Sequence, residues 1–217
     1  MSVRLRPILA ASLGIVLVGS GVVASASATS VRPVCNLVSD AKGDGAGFVS
    51  NADGLDVVTA DVASDAKNVT AVVRLAAAPP SAGDPNAPEG ASYYVEWTAK
   101  DAANPVYLTA GSDATGAFTY AMGDVQPSPT GGQLFQNATG VVTGHVDGST
   151  ITITAERSVF SALSSVKPGS KLTNLTADVF YPVEVPMVGG LLEQADNATS
   201  SKAYVAGARS CVTPGKG

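Results

Sequence analysis

The sequence predicts an all-β fold: a single antiparallel β-sandwich domain, immunoglobulin-like or jelly-roll-like, behind a cleaved signal peptide. Short β-branched runs with alternating apolar and polar positions recur along the chain. Loops rich in Gly and Pro separate them, and no amphipathic helix of normal length interrupts the pattern.

The first residues set the compartment. Arg4 and Arg6 are followed by the apolar, small-residue run PILAASLGIVLVGSGVVAS and by an A-x-A site at 26–28. That order marks residues 1–28 as a signal peptide and 29–217 as a secreted domain. A membrane anchor of similar length is the alternative, but the Gly and Ser content and the cleavage site directly after the run argue against it. VRPV before Cys35 lacks the small residues of a lipid-attachment site, so an extracellular protein with no transmembrane anchor in its mature form is expected.

The net charge of −5 becomes more negative once a leader with two arginines and no acids is removed. Nucleic acid and anionic membrane surfaces are therefore poor partners, while cations and sugars are compatible. Charged residues make up only 14% of the chain, so Thr, Ser, Asn and Ala must fill many solvent-facing positions. The Ala, Val, Gly, Asp and Thr bias is that of a GC-rich bacterial coding sequence. The four Asn-x-Thr triplets at Asn68, Asn137, Asn174 and Asn197 are then composition rather than glycosylation sites. Two cysteines in an exported chain should pair, and a Cys35–Cys211 bridge would clasp the two ends of the domain.

The strands follow in order. LDVVTADVASDAKNVTAVVRLA (55–76) holds two β-branched runs around the turn SDAKN, with Val69, Ala71, Val73 and Leu75 on one face of the second. SYYVEWTA and PVYLTAG form another pair. TGVVTGHVDGSTITITAE (139–156) is a hairpin turning at Asp147-Gly148, with Ile151, Ile153 and Ala155 inward. SVFSALSS suggests one short turn of helix, and KLTNLTADVFYPV a late, bulged strand. The stretches 78–90, 124–133 and 182–190 read as long Pro- and Gly-rich loops.

Several of these segments carry a resemblance. D-x-x-x-D-G at 40–45, LDVVTADV, the SD-x-x-N-x-T turn, YYVEW and ITITAERSVFSAL followed by Pro168-Gly169 stand in an order that resembles DOMON-like sandwiches related to family 9 carbohydrate-binding modules. The resemblance implies a sandwich whose relatives bind sugars, haem or nothing known, so it does not by itself name a ligand. The haem-binding pattern of axial Met and His is poorly matched: His145 is the only His, and one of the three Met residues is Met1 in the leader. The lone Trp97 alternates with Val95 and Tyr93, which places it in the core rather than on a sugar platform.

Two sites stand out. Asp40, Asp44, Asp53 and Asp56 cluster among glycines beside Cys35, and Asp196 approaches from the C-terminal side if the cysteines are bridged. Calcium takes six to eight oxygens from carboxylates and carbonyls. A structural calcium ion is therefore expected on Asp40 and Asp44, with Asp56 and Asp196 as further ligands; the competing reading is a plain turn with Asp caps. EF-hand spacing is absent. The second site is a set of rings, Tyr94, Tyr107 and Tyr120, with Glu96, which could present flat surfaces and hydrogen bonds to a pyranose. Its competitor is ordinary cross-strand Tyr packing. No catalytic residues are expected: no G-x-S-x-G motif occurs, both cysteines are assigned to a bridge, and His145 has no evident nucleophile. The sequence thus points to a secreted, non-enzymatic domain binding a polysaccharide or another cell-envelope component. The alternative is a structural or adhesive surface domain without a small-molecule ligand.

Overall fold

The computed structural model describes residues 32–50, 52–100, 102–128, 133–163, 166–185 and 189–215. The signal peptide expected at 1–28 lies outside them. Two antiparallel sheets face each other. The first has the strand order β1 (Val38–Ser39), β2 (Val57–Ser64), β3 (Asn68–Leu75), β9 (Thr150–Glu156) and β8 (Val142–Asp147). The second runs β11 (Gly189–Thr199), β10 (Lys171–Val185), β4 (Ser92–Ala99), β5 (Val106–Ser112), β6 (Phe118–Pro127) and β7 (Gln133–Asn137), with β12 (Tyr204–Val205) also on β10. The fold is an all-β sandwich.

The core follows from the period of two along each strand. Val69, Ala71, Val73, Ile151, Ile153 and Ala155 of the first sheet are buried against Tyr93, Val95, Trp97, Leu108, Ala177 and Val179 of the second. A short helix, α1 (Arg157–Leu163), brings the buried Phe160 to 5.6 Å from the Trp97 ring. Tyr120 leans across to β8, where a Cβ on Gly144 would sit 2.4 Å from its ring; only a glycine admits that approach.

Cys35 and Cys211 form a disulfide with Cα atoms 5.2 Å apart. The strand-like approach of Val34 to Ser210 supports it, with Val34 N donating to Arg209 O (3.0 Å) and Cys211 N to Val34 O (3.2 Å). Both ends of the described chain lie over the outer face of the first sheet. Leu37 N donates to Asp61 Oδ1 (3.0 Å), Gly215 N donates to Thr70 Oγ1 (3.0 Å), and Val212 packs with Ala63 and Val72. The residues opposite the core on β2 and β3 are consequently buried as well, and Asp61 is neutralised there by Arg74 at 2.9 Å.

The described residues of two expected loops are largely strand. The described residues of 182–190 belong to the β10–β11 hairpin, because β10 continues to Val185 and β11 begins at Gly189. Residues 124–127 extend β6, with Pro127 at its end where a missing N–H is tolerated, and β7 follows from Gln133. β10 is irregular as expected: its pairing with β4 shifts between Thr173 and Thr176, and Asn174 takes a left-handed conformation with φ 50°. No helix among the described residues is long and apolar enough to cross a membrane.

Candidate functional site

The acid cluster is assembled from three parts of the chain. β1 pairs with β2, and Asp40 N donates to Val58 O (3.0 Å), which anchors the start of the loop beside β2. The loop then folds back over the residue that enters β2. Gly43 N donates to Asp56 Oδ2 (2.5 Å), and Gly45 lies so close that a Cβ there would be 2.6 Å from the Asp56 Cβ. A single 3-10 turn at Asp53–Leu55 delivers Asp56 to this position. From the other side, Ala46 N donates to Ala195 O (2.9 Å), which docks the loop on β11.

β11 supplies the remaining carboxylate through a bulge. The register passes from Val179 opposite Asp196 to Phe180 opposite Gln194, so Ala195 is the extra residue. Asp196 is turned inward and is 8% exposed; its Oδ2 accepts from Val57 N (2.6 Å) and its Oδ1 from Asn197 N (2.7 Å). Asp40, Asp44 and Asp196 each bring a carboxylate oxygen within 4.8 Å of the others. Asp56 lies beneath them, fully buried, and its Oδ1 has no hydrogen-bond partner. None of the four is in an ion pair with a described residue. Burial, followed by the neighbouring carboxylates, raises the Asp56 pKa and pushes that of Asp196 up to about 6, against the backbone amides that favour the charged forms. The structure thus brings Asp40, Asp44 and Asp196 together, with Asp56 under the loop but outside that close group, while Asp53 stays exposed on the 3-10 turn.

The expected ring site divides between two faces. Tyr94 alternates with the core residues Tyr93 and Val95, so it faces outward on the second sheet, beside Glu96 and Tyr107. Tyr120 pairs with the core residue Ala110 and lies on the inner face, near Phe118 and Gly144. It is not part of a row with the other two. Tyr107 is fully buried and donates to Asn137 Oδ1 (2.8 Å). The outer face gains two rings that sequence reasoning did not select. Phe135 of β7 is 4.5 Å from Tyr94, and Phe180 of β10 is 5.7 Å from Tyr94 and 5.8 Å from Phe135.

Polar groups border these rings. Asp178, opposite Tyr94 across β4 and β10, accepts from Gln194 Nε2 (2.8 Å) and from Asn197 Nδ2. Gln194 and Asn197 are themselves exposed. Glu96 is 8% exposed; burial and then the Asp178 charge push its carboxyl up to about 7, and burial also raises Asp178. The alternation of Thr176, Asp178 and Phe180 along a recognised strand was the available signal for this face. Phe135 had none, since its five-residue strand is too short for a period.

Elsewhere, His145 is exposed on the edge strand β8, opposite Thr152. A cavity of about 380 Å³ at the β2–β3 turn is lined by Ala66, Lys67, Asn68, Glu156 and Ser158, and includes neither ring nor acid cluster. No protein-family model, curated protein or solved structure matched the chain.

Proposed function

We propose that this chain is an exported, non-enzymatic binding domain that engages a polysaccharide or another glycan of the cell envelope through the outer face of its second sheet. The observation that carries this reading is the juxtaposition of the half-exposed rings of Tyr94, Phe135 and Phe180 with the exposed amides of Gln194 and Asn197. Sugars are recognised by an apolar ring surface against the C–H face of a pyranose and by planar amides that donate to and accept from its hydroxyls. Asp178 fixes both amides in place, which lowers the ordering cost of contact. The signal-like N-terminus and the disulfide support an oxidising compartment.

The second reading, a structural surface domain without a small ligand, is favoured by the complete burial of Tyr107 and the edge-on packing of Tyr94 against Tyr107 and Phe180. A binding screen of the folded chain against soluble and insoluble polysaccharides separates the two. Retention on a polysaccharide that is lost in Phe135→Ala and in Asn197→Ala, with unchanged melting temperature in the second, supports the glycan reading. Absence of retention on every polysaccharide leaves the structural one.

A further inference from the structure

We propose that Asp40, Asp44 and Asp196 bind a calcium ion over the buried Asp56, and that this ion latches the loop after β1 and the start of β2 onto β11. The cluster alone would not establish this, since acids also gather in turns without an ion. The second observation is Asp56: its side chain is fully buried under the loop and one carboxylate oxygen has no hydrogen-bond partner. A buried carboxylate oxygen left without a partner is costly, and native structures rarely tolerate one. The loop that covers it carries Asp40 and Asp44, and Gly43 N binds its other oxygen.

The donor set selects the ion. It consists of carboxylates without His or Cys, which suits a hard cation and disfavours zinc or copper. Oxygens bound to one calcium at about 2.4 Å are at most about 4.8 Å apart. One oxygen from each of Asp40, Asp44 and Asp196 meets that condition. The loop is partly exposed, with glycines at 43 and 45, and can supply carbonyl oxygens and admit water to complete six to eight ligands. Magnesium demands a stricter octahedron and keeps more of its water, so calcium is the better fit to several carboxylates on a pliable loop. Asp196 is already positioned by the Val57 and Asn197 amides, so the ion meets a partly formed site. This inference is independent of what the ring face binds.

The test is thermal unfolding of the purified full chain, stripped of metal by chelator and then titrated with calcium chloride. A site of the strength usual for extracellular calcium modules should raise the melting temperature by about 3–10 °C at 10 mM calcium. Magnesium at the same concentration, and sodium chloride at equal ionic strength, should give much smaller shifts. Asp44→Asn changes an exposed residue, so its metal-free form should fold and melt no lower than wild type while its calcium response falls by most of its size. Calorimetric titration should give one ion per chain. No calcium shift in stripped wild type overturns the proposal, as does an equal shift with magnesium or sodium, or a full calcium response in an Asp40→Asn, Asp44→Asn double variant.

Discussion

Asp196 accepts a 2.6 Å hydrogen bond from the backbone amide of Val57, a residue 139 positions earlier. One carboxylate on the second sheet thereby satisfies the first backbone donor of a strand in the other sheet. Replacing it by Ala should leave the Val57 amide buried without a partner and cost about 1–3 kcal/mol in metal-free protein, read from urea unfolding. Asn, which keeps an acceptor and removes a charge from the cluster, should cost less than Ala in the same measurement.

Glu96 gives a pH dependence of opposite sign to that of a salt-bridged acid. Its folded-state pKa is raised from an ordinary 4.5 to about 7 by burial and by Asp178. Between these values the folded state binds more protons than the unfolded one, so stability falls as pH rises. The contribution is complete below pH 4.5 and is lost through about pH 7. At roughly 1.4 kcal/mol per pH unit the change is on the order of 3 kcal/mol. Glu96→Gln should remove the Glu96 share of this slope, leave the part that Asp196 contributes below about pH 6, and melt higher than wild type at pH 8, in melting curves recorded in chelator from pH 4 to 8.

The disulfide closes a loop of 176 residues in sequence separation. The chain-entropy relation assigns such a loop roughly 5 kcal/mol, less whatever structure persists in the unfolded state. A Cys35→Ser, Cys211→Ser variant should melt lower yet keep its far-ultraviolet β signature, because the core between the sheets does not depend on the bridge.

Ile153 is fully buried on β9, facing the second sheet. Its replacement by Ala should cost about 2–5 kcal/mol, measured by denaturant unfolding. Trp97, also fully buried, provides the reporter: its emission should be blue-shifted in the native chain and move to longer wavelength on unfolding.

Central strands were legible because their residues alternate cleanly. Tyr93, Val95 and Trp97, or Ile151, Ile153 and Ala155, declare a face by composition alone, and the structure buries those faces. β11 was not legible. Its GGLLEQADNAT is poor in β-formers, and it becomes a strand through pairing with β10 at the sheet edge. This changes how Asp196 reaches the acid loop: the β10–β11 hairpin and the bulge at Ala195 deliver it, rather than the disulfide near the chain's ends. The acids at 40, 44 and 56 could be grouped because they are close in sequence. Tyr120 could not be assigned a face, since the FTYAMGDVQP of β6 has no clear period and its phase is set by pairing with β5.

The position of the bridge also decides how the domain responds to force. Tension applied at residues 35 and 211 passes through one covalent bond between Cα atoms 5.2 Å apart, and neither sheet carries it. A stretched chain would therefore gain almost no length while oxidised. Reduction would shift the load onto the sheets, and their unfolding would release the intervening 176 positions, roughly 600 Å of contour at up to about 3.6 Å per residue. Redox state sets whether the strength of the sheets is tested at all: oxidised, the domain behaves as a fixed bead, and reduced, it extends once the sheets give way.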